Sequence, residues 1–193
     1  MLLKTTIRKI YGHRPCSDGF AQLIYSVTGR KESPATNISE QFAMLTEEEK
    51  DREIDLIGIL ESNGIEHAVW ALRCFEYRDY CRFLADVAES VLHIFEEKFP
   101  EDDRPRKAIQ AIRDYRAGKI SLNDLDAAAK AAWAAAWAAG GVAGTTVWAA
   151  AGTAAGAATR AAARDAGSAR AAKWQEIESL FRKHFGGKDE NNH

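Results

Sequence analysis

His13, Cys16 and Asp18 fall within six residues of one another, and a thiol with an imidazole nearby is the raw material of a nucleophilic site. Such pairs are usually assembled from residues far apart in the chain. Pro15-Cys16-Ser17-Asp18-Gly19 also reads as a tight turn, with Asp18 accepting from backbone amides and Gly19 taking a positive φ. The turn is the expected structure and no catalytic residue is assigned, a thiol enzyme built on Cys16 and His13 being the alternative. Cys74 and Cys81 stand seven positions apart, so on a continuous helix they would share a face as small buried hydrophobes. Three scattered cysteines make no disulfide framework. With no C-x-x-C, no H-E-x-x-H and no glycine-rich phosphate loop, neither a metal nor a cofactor is expected.

The other chemistry in the chain is charge and aromaticity. Arg104, Arg106, Lys107, Arg113, Arg116 and Lys119 form a basic cluster beside the acidic Glu96, Glu97, Glu101, Asp102 and Asp103. Such a juxtaposition is most simply a salt-bridged, solvated surface. Its functional reading is a patch that recognises a partner through guanidinium forks. Trp, Tyr and Arg are the residues that anchor protein interfaces. The expected partner-binding set is therefore Trp70, Arg73, Tyr77, Tyr80, Arg104, Arg106, Lys107 and Arg113. The acidic run Glu47 to Asp55 could instead imitate a phosphate backbone, although Lys50 and Arg52 interrupt it. Lys+Arg 26 against Asp+Glu 28 leaves a formal charge of −2, which argues against direct duplex DNA binding, because that needs an excess of cations on one face.

These side chains have to be positioned by helices. Proline is nearly absent and alternating β-branched patterns are lacking, so the class is all-α. Leu3, Ile7 and Ile10 mark a short apolar piece, and Phe20, Leu23, Ile24 and Val27 mark a helix closed by Gly29 in the left-handed region. After a polar loop and the acidic run, read as a loop or a solvated first turn, helical spacing resumes at Ile54 and ends at Asn63-Gly64. A short helix from Glu66 to Cys74 carries Val69, Trp70 and Leu72. The longest ordinary helix is expected from Tyr77 to Phe99, with Tyr80, Leu84, Val87, Val91 and Ile94 as a heptad seam. Pro105 restarts the chain, Gly118 ends that helix, and Ser121 with Asp124 opens the next.

From Ala127 to Ala172 about half of the residues are alanine, the best helix former, so this segment is expected to be a helical hairpin or one kinked helix, broken at Gly140-Gly141. It carries no formal charge between Lys130 and Arg160, yet alanine and glycine are too weakly apolar to favour a membrane span. Gly140-x-x-x-Gly144 and Gly152-x-x-x-Gly156 suit close helix pairing, which makes a homodimer an expectation. A last helix runs from about Ser168 to Phe185, with Trp174, Ile177, Leu180 and Phe181 on one side. The architecture is thus a multi-helix bundle ending in an Ala/Trp-rich helical hairpin and a C-terminal helix. Residues 1-76, 77-185 and a disordered tail 186-193 divide it, with the first two expected to form one compact unit. The start of the chain has no apolar run suited to a signal peptide, and a cytoplasmic location is expected.

Two stretches resemble known families. Arg82-Phe83-Leu84-Ala85-Asp86-Val87-Ala88-Glu89-Ser90-Val91-Leu92, then Asp103-Arg104-Pro105-Arg106-Lys107-Ala108-Ile109 and Gly118-Lys119-Ile120, followed by the Ala-rich array to Ala172, resembles immunity proteins of bacterial polymorphic-toxin systems. Pro15-Cys16-Ser17-Asp18-Gly19, Leu60-Glu61-Ser62-Asn63-Gly64 and Ala68-Val69-Trp70-Ala71-Leu72-Arg73 are similar to uncharacterised phage and prophage proteins. Neither resemblance brings catalytic residues. Together they imply a phage or mobile-element accessory protein that is not an enzyme and that binds and inhibits a bacterial protein. The target would be a toxin, or a defence component as for an anti-CRISPR. An oligomeric binder that sequesters a small nucleotide signal is the alternative.

Overall fold

A helix needs its first amides and last carbonyls answered, and the chain answers many of them locally. The computed structural model describes residues 2–29, 37–139 and 168–187. Among these are a strand β1 (Lys4–Thr6), helices α1 (Ile7–Gly12), α2 (Ser17–Thr28), α3 (Ile38–Ala43) and α4 (Glu47–Asp51), and a strand β2 (Glu53–Asp55). Then come α5 (Leu56–Asn63), α6 (Ile65–Ala71), a single 3-10 turn at Leu72–Cys74, α7 (Tyr77–Glu96), α8 (Arg104–Arg116), α9 (Leu122–Ala139) and α10 (Ser168–Phe185). Among the described residues the fold is all-α, multi-helical, with one small sheet. No helix among the described residues is long and apolar enough to cross a membrane. Gly140-Gly141, both Gly-x-x-x-Gly pairs and residues 188–193 of the expected tail lie outside the described residues.

The chain divides into two compact units, residues 1–75 with 182–193, and residues 76–181. In the first, β1 and β2 pair antiparallel with Thr5 opposite Ile54, both buried. This sheet corrects the reading of helical spacing from Ile54, since Ile54 lies in β2 and the helix begins at Leu56; of the short apolar piece, Ile7 and Ile10 are on α1. Three-residue strands of sequence KTT and EID are too short to show alternation. Of the two readings of the acidic run, the structure takes the solvated helical turn and not the loop. Glu47–Asp51 is a helix held by a capping box, Thr46 Oγ1 accepting from the Glu49 amide at 3.2 Å and Glu49 Oε2 accepting from the Thr46 amide at 2.9 Å. Glu47 and Asp51 then clamp Arg8 of α1, each at 2.6 Å. Hydrogen bonds from Lys50 and Arg8 hold the Glu47 carboxyl below its usual range, and Arg8 does the same for Asp51. Gly64, at φ 79, is the last cap of α5 and the first of α6 at once, a backbone state that side chains resist.

In the second unit α7 is buried over more than its heptad seam. Leu84, Val87 and Val91 are buried as that seam requires, whereas Tyr80 and Ile94 are half-buried. Cys81, Ala85, Ala88 and Leu92 form a second stripe that packs with Ile109 and Ile112 of α8 and Leu125 of α9. On α7, Phe83 meets Phe181 of α10 edge-on with ring centres 5.4 Å apart. A helix covered on several sides needs apolar residues on several stripes, which a single-seam reading understates. α9 opens as expected on a Ser121–Asp124 box, with Asp124 Oδ2 accepting from the Ser121 amide at 3.0 Å. Its Ala132 and Ala135 are buried with Phe95 and Ala108, and Trp133 packs against that cluster to supply area alanine lacks.

Candidate partner-binding surface

Helices α7 and α8 are joined by a short connection and run antiparallel, so the start of α7 meets the end of α8. There Tyr77 lies 5.6 Å from Tyr80, centre to centre and edge-on, and 6.0 Å from Tyr115 of α8. The Arg78 guanidinium stands 5.0 Å from the centre of the Tyr115 ring, within cation–π range. Burial pushes the Tyr77 hydroxyl well above the usual tyrosine range, with small additions from Cys81, Tyr80 and Tyr115. Tyr77 and Tyr80 were legible candidates. Tyr115 and Arg78 were missed, although tyrosines at both open ends of a helical hairpin are a signal that topology alone could have turned into a cluster.

Further along the hairpin every selected cation of α8 meets a carboxylate. Arg104 grips Asp102 through Nε at 2.8 Å and through Nη2. Arg106 makes a two-pronged pair with Glu96 at 2.8 and 2.7 Å. Lys107 reaches Asp103 at 2.9 Å, and Arg113 bridges Glu89 and Asp86 of α7. The Arg113 hydrogen bond holds the Glu89 carboxyl below its usual range, and Arg104 does so for Asp102. The forks are thus occupied from within the chain, and a partner's acidic groups would share or exchange these carboxylates. All of these pairs retain solvent exposure, so each contributes little to stability.

Trp70 and Arg73 belong to the first unit, where the Arg73 guanidinium lies 5.2 Å from the centre of the Trp70 ring. The structure therefore places the eight expected contact residues in two groups, this pair and the six on α7 and α8.

The front cysteine has a different neighbour from the one its sequence suggests. His13 is exposed at the end of α1, and the imidazole beside Cys16 is that of His67 on α6, with Nε2 3.7 Å from Sγ. The expected turn is also absent, since Cys16 is the N-cap of α2 and Gly19 is buried inside the helix. A Cβ on Gly19 would sit 2.5 Å from His67 Nε2 and 3.0 Å from Cys16 Sγ, so the glycine serves close approach and not a positive φ. Asn63, the last residue of α5, ties that helix to α2 by donating from Nδ2 to the Gly19 carbonyl at 2.7 Å. Cys74 ends the 3-10 turn and Cys81 is on α7, with extended backbone at Phe75 between them, so they share no continuous helix; burial raises both thiols above the usual cysteine range. Among the described residues no group of His, Cys, Asp and Glu is arranged to hold a metal ion.

A helical chain whose second unit is an antiparallel hairpin followed by an Ala-rich helix belongs to a definable class. Residues 72–171 match the model of the family described as Imm-5 like putative immunity protein. This stretch covers more than half of the chain, and the protein belongs to that family. No curated protein and no solved structure matches it.

Proposed function

We propose that this protein is an immunity protein that binds a bacterial toxin and blocks it, without catalysing a reaction. The observation that carries the reading is the family membership of residues 72–171, the stretch that contains the α7–α8 hairpin. The contact surface we assign in the second unit is the tyrosine cluster of that hairpin with Arg104, Arg106, Lys107 and Arg113, and in the first unit Trp70 and Arg73 are assigned as separate contact residues. Half-buried tyrosines give large, stiff contact area at small entropic cost, whereas the ion-paired arginines give register and selectivity. A phosphate ligand would have to displace carboxylates already bound to the guanidinium groups, which is why a protein partner is preferred to a nucleotide signal. We place the complex in the cytoplasm and the gene on a phage or other mobile element. A homodimer through the Ala-rich segment belongs to the same proposal, and a concentration-dependent mass in light scattering checks it.

The test is capture of the tagged full chain from host lysate, followed by reconstitution with the purified captured protein and assay of that protein's own activity. A toxin retained in fixed ratio and silenced in the complex supports the reading. A CRISPR subunit silenced in its place replaces the toxin by a defence component, and a captured protein that stays fully active overturns inhibition. Tyr80→Ala is expected to weaken the complex about 30-fold, the effect of a loss of about 2 kcal/mol at an interface anchor.

A further inference from the structure

We propose that Cys16 and His67 form a nucleophilic pair that takes up the acyl group of small apolar esters. Neither Cys16 nor His67 is among the residues assigned to the toxin contact, so the proposal stands without that reading, although Trp70 is named in both. Three observations carry it.

The first is the state of the imidazole. His67 Nδ1 lies 2.8 Å from the Asn63 backbone carbonyl, which can only accept, so Nδ1 carries the proton. In the neutral ring Nε2 is then the bare nitrogen, and it is the atom 3.7 Å from the exposed Cys16 thiol. This is the arrangement of a general base oriented by a third group toward its nucleophile. The second is place. Cys16 is the N-cap of α2 and its side chain makes no cap hydrogen bond, so the sulfur is not tied to the helix it opens and is exposed beside His67 Nε2. The third is a cavity of about 230 Å³ with Cys16 and His67 on its wall and Phe20, Leu23, Ile59 and Trp70 around it, an apolar receptacle for a short acyl chain.

In the step itself, sulfur attacks the ester carbonyl carbon while the thiol proton passes to His67 Nε2. The new C–S bond forms, the C–O bond to the alcohol breaks, and the imidazole returns the proton to the departing oxygen. The products are an S-acyl Cys16 and one free alcohol.

The experiment treats the full chain with p-nitrophenyl butyrate at neutral pH, follows nitrophenol release and locates the acyl group by peptide mass spectrometry. Acylation is expected at Cys16 and not at the half-buried Cys74 or the buried Cys81, about 100-fold faster than for glutathione under the same conditions, as a positioned general base provides. His67→Gln replaces the basic Nε2 by an amide that cannot accept the thiol proton, and is expected to remove that advantage and the solvent deuterium isotope effect together in a protein that still folds. An acyl group absent from Cys16, or a wild-type rate no faster than glutathione, overturns the proposal without recourse to any variant. Equal rates in wild type and a folded His67→Gln protein overturn it too.

Discussion

The basic surface of the second unit and the cysteine pocket of the first are built on opposite logics. On the α7–α8 hairpin, long side chains find opposite charges over solvent-exposed distances, and Arg106 and Glu96 are only ten positions apart in the chain. In the pocket, two short side chains 51 positions apart are held together because a glycine removes the atom that would separate them. The difference teaches where energy and specificity reside. Exposed ion pairs tolerate loss because water replaces them. A close approach of packed elements has no such substitute.

That contrast can be broken or sharpened by substitution. The largest effect is expected underneath the charged surface, where Ile112 is buried against α7: Ile112→Ala should lower unfolding free energy by about 2–5 kcal/mol in urea titration. If the hairpin were instead held by its ion pairs, this loss would be small. Gly19→Ala comes next, at about 1–3 kcal/mol, because the new methyl group meets His67 and one of the two must move. A neutral Gly19→Ala would show that the pocket is loose.

Arg113→Ala should cost only about 0.2–1 kcal/mol at neutral pH. The native Glu89 carboxyl is held below its ordinary value of 4.5, so its contribution is present above that value and is lost as the pH falls through the lowered native one. Stability curves of wild type and Arg113→Ala should therefore converge in acid. Smallest is the Arg104→Ala, Arg106→Ala double variant, expected to unfold at the same urea midpoint as wild type, because both guanidinium groups are exposed. The same variant is expected to weaken partner binding, and unchanged affinity with intact circular dichroism would remove those two arginines from the contact surface.

Much of the helical frame was legible in local signals. Gly29 closes α2 in the left-handed region at φ 71, Ser121 and Asp124 open α9, and α10 runs from Ser168 to Phe185 as its apolar spacing requires. Each of these depends on atoms a few residues apart, so the order of residues is enough to specify it. The tyrosines of α7 were legible for the same reason, as neighbours on one helix face.

What the chain order alone could not decide is which distant groups meet. The strands β1 and β2 lie about fifty positions apart, and each is too short to carry a periodic signal. Tyr115 reaches Tyr77 only because α8 folds back along α7. His67, not the neighbouring His13, comes to Cys16 because α2 and α5 pack closely enough for Asn63 to bond the Gly19 carbonyl, and α6 follows from Gly64. The sequence by itself determined the longer helices, several of their caps and the all-α class, since these follow from backbone preferences and short-range hydrogen bonds, whereas the short α3 and the strand at Ile54 were not read. The pairing of side chains into sites was decided by tertiary packing, because burial is a property of the assembled surface and not of any one segment.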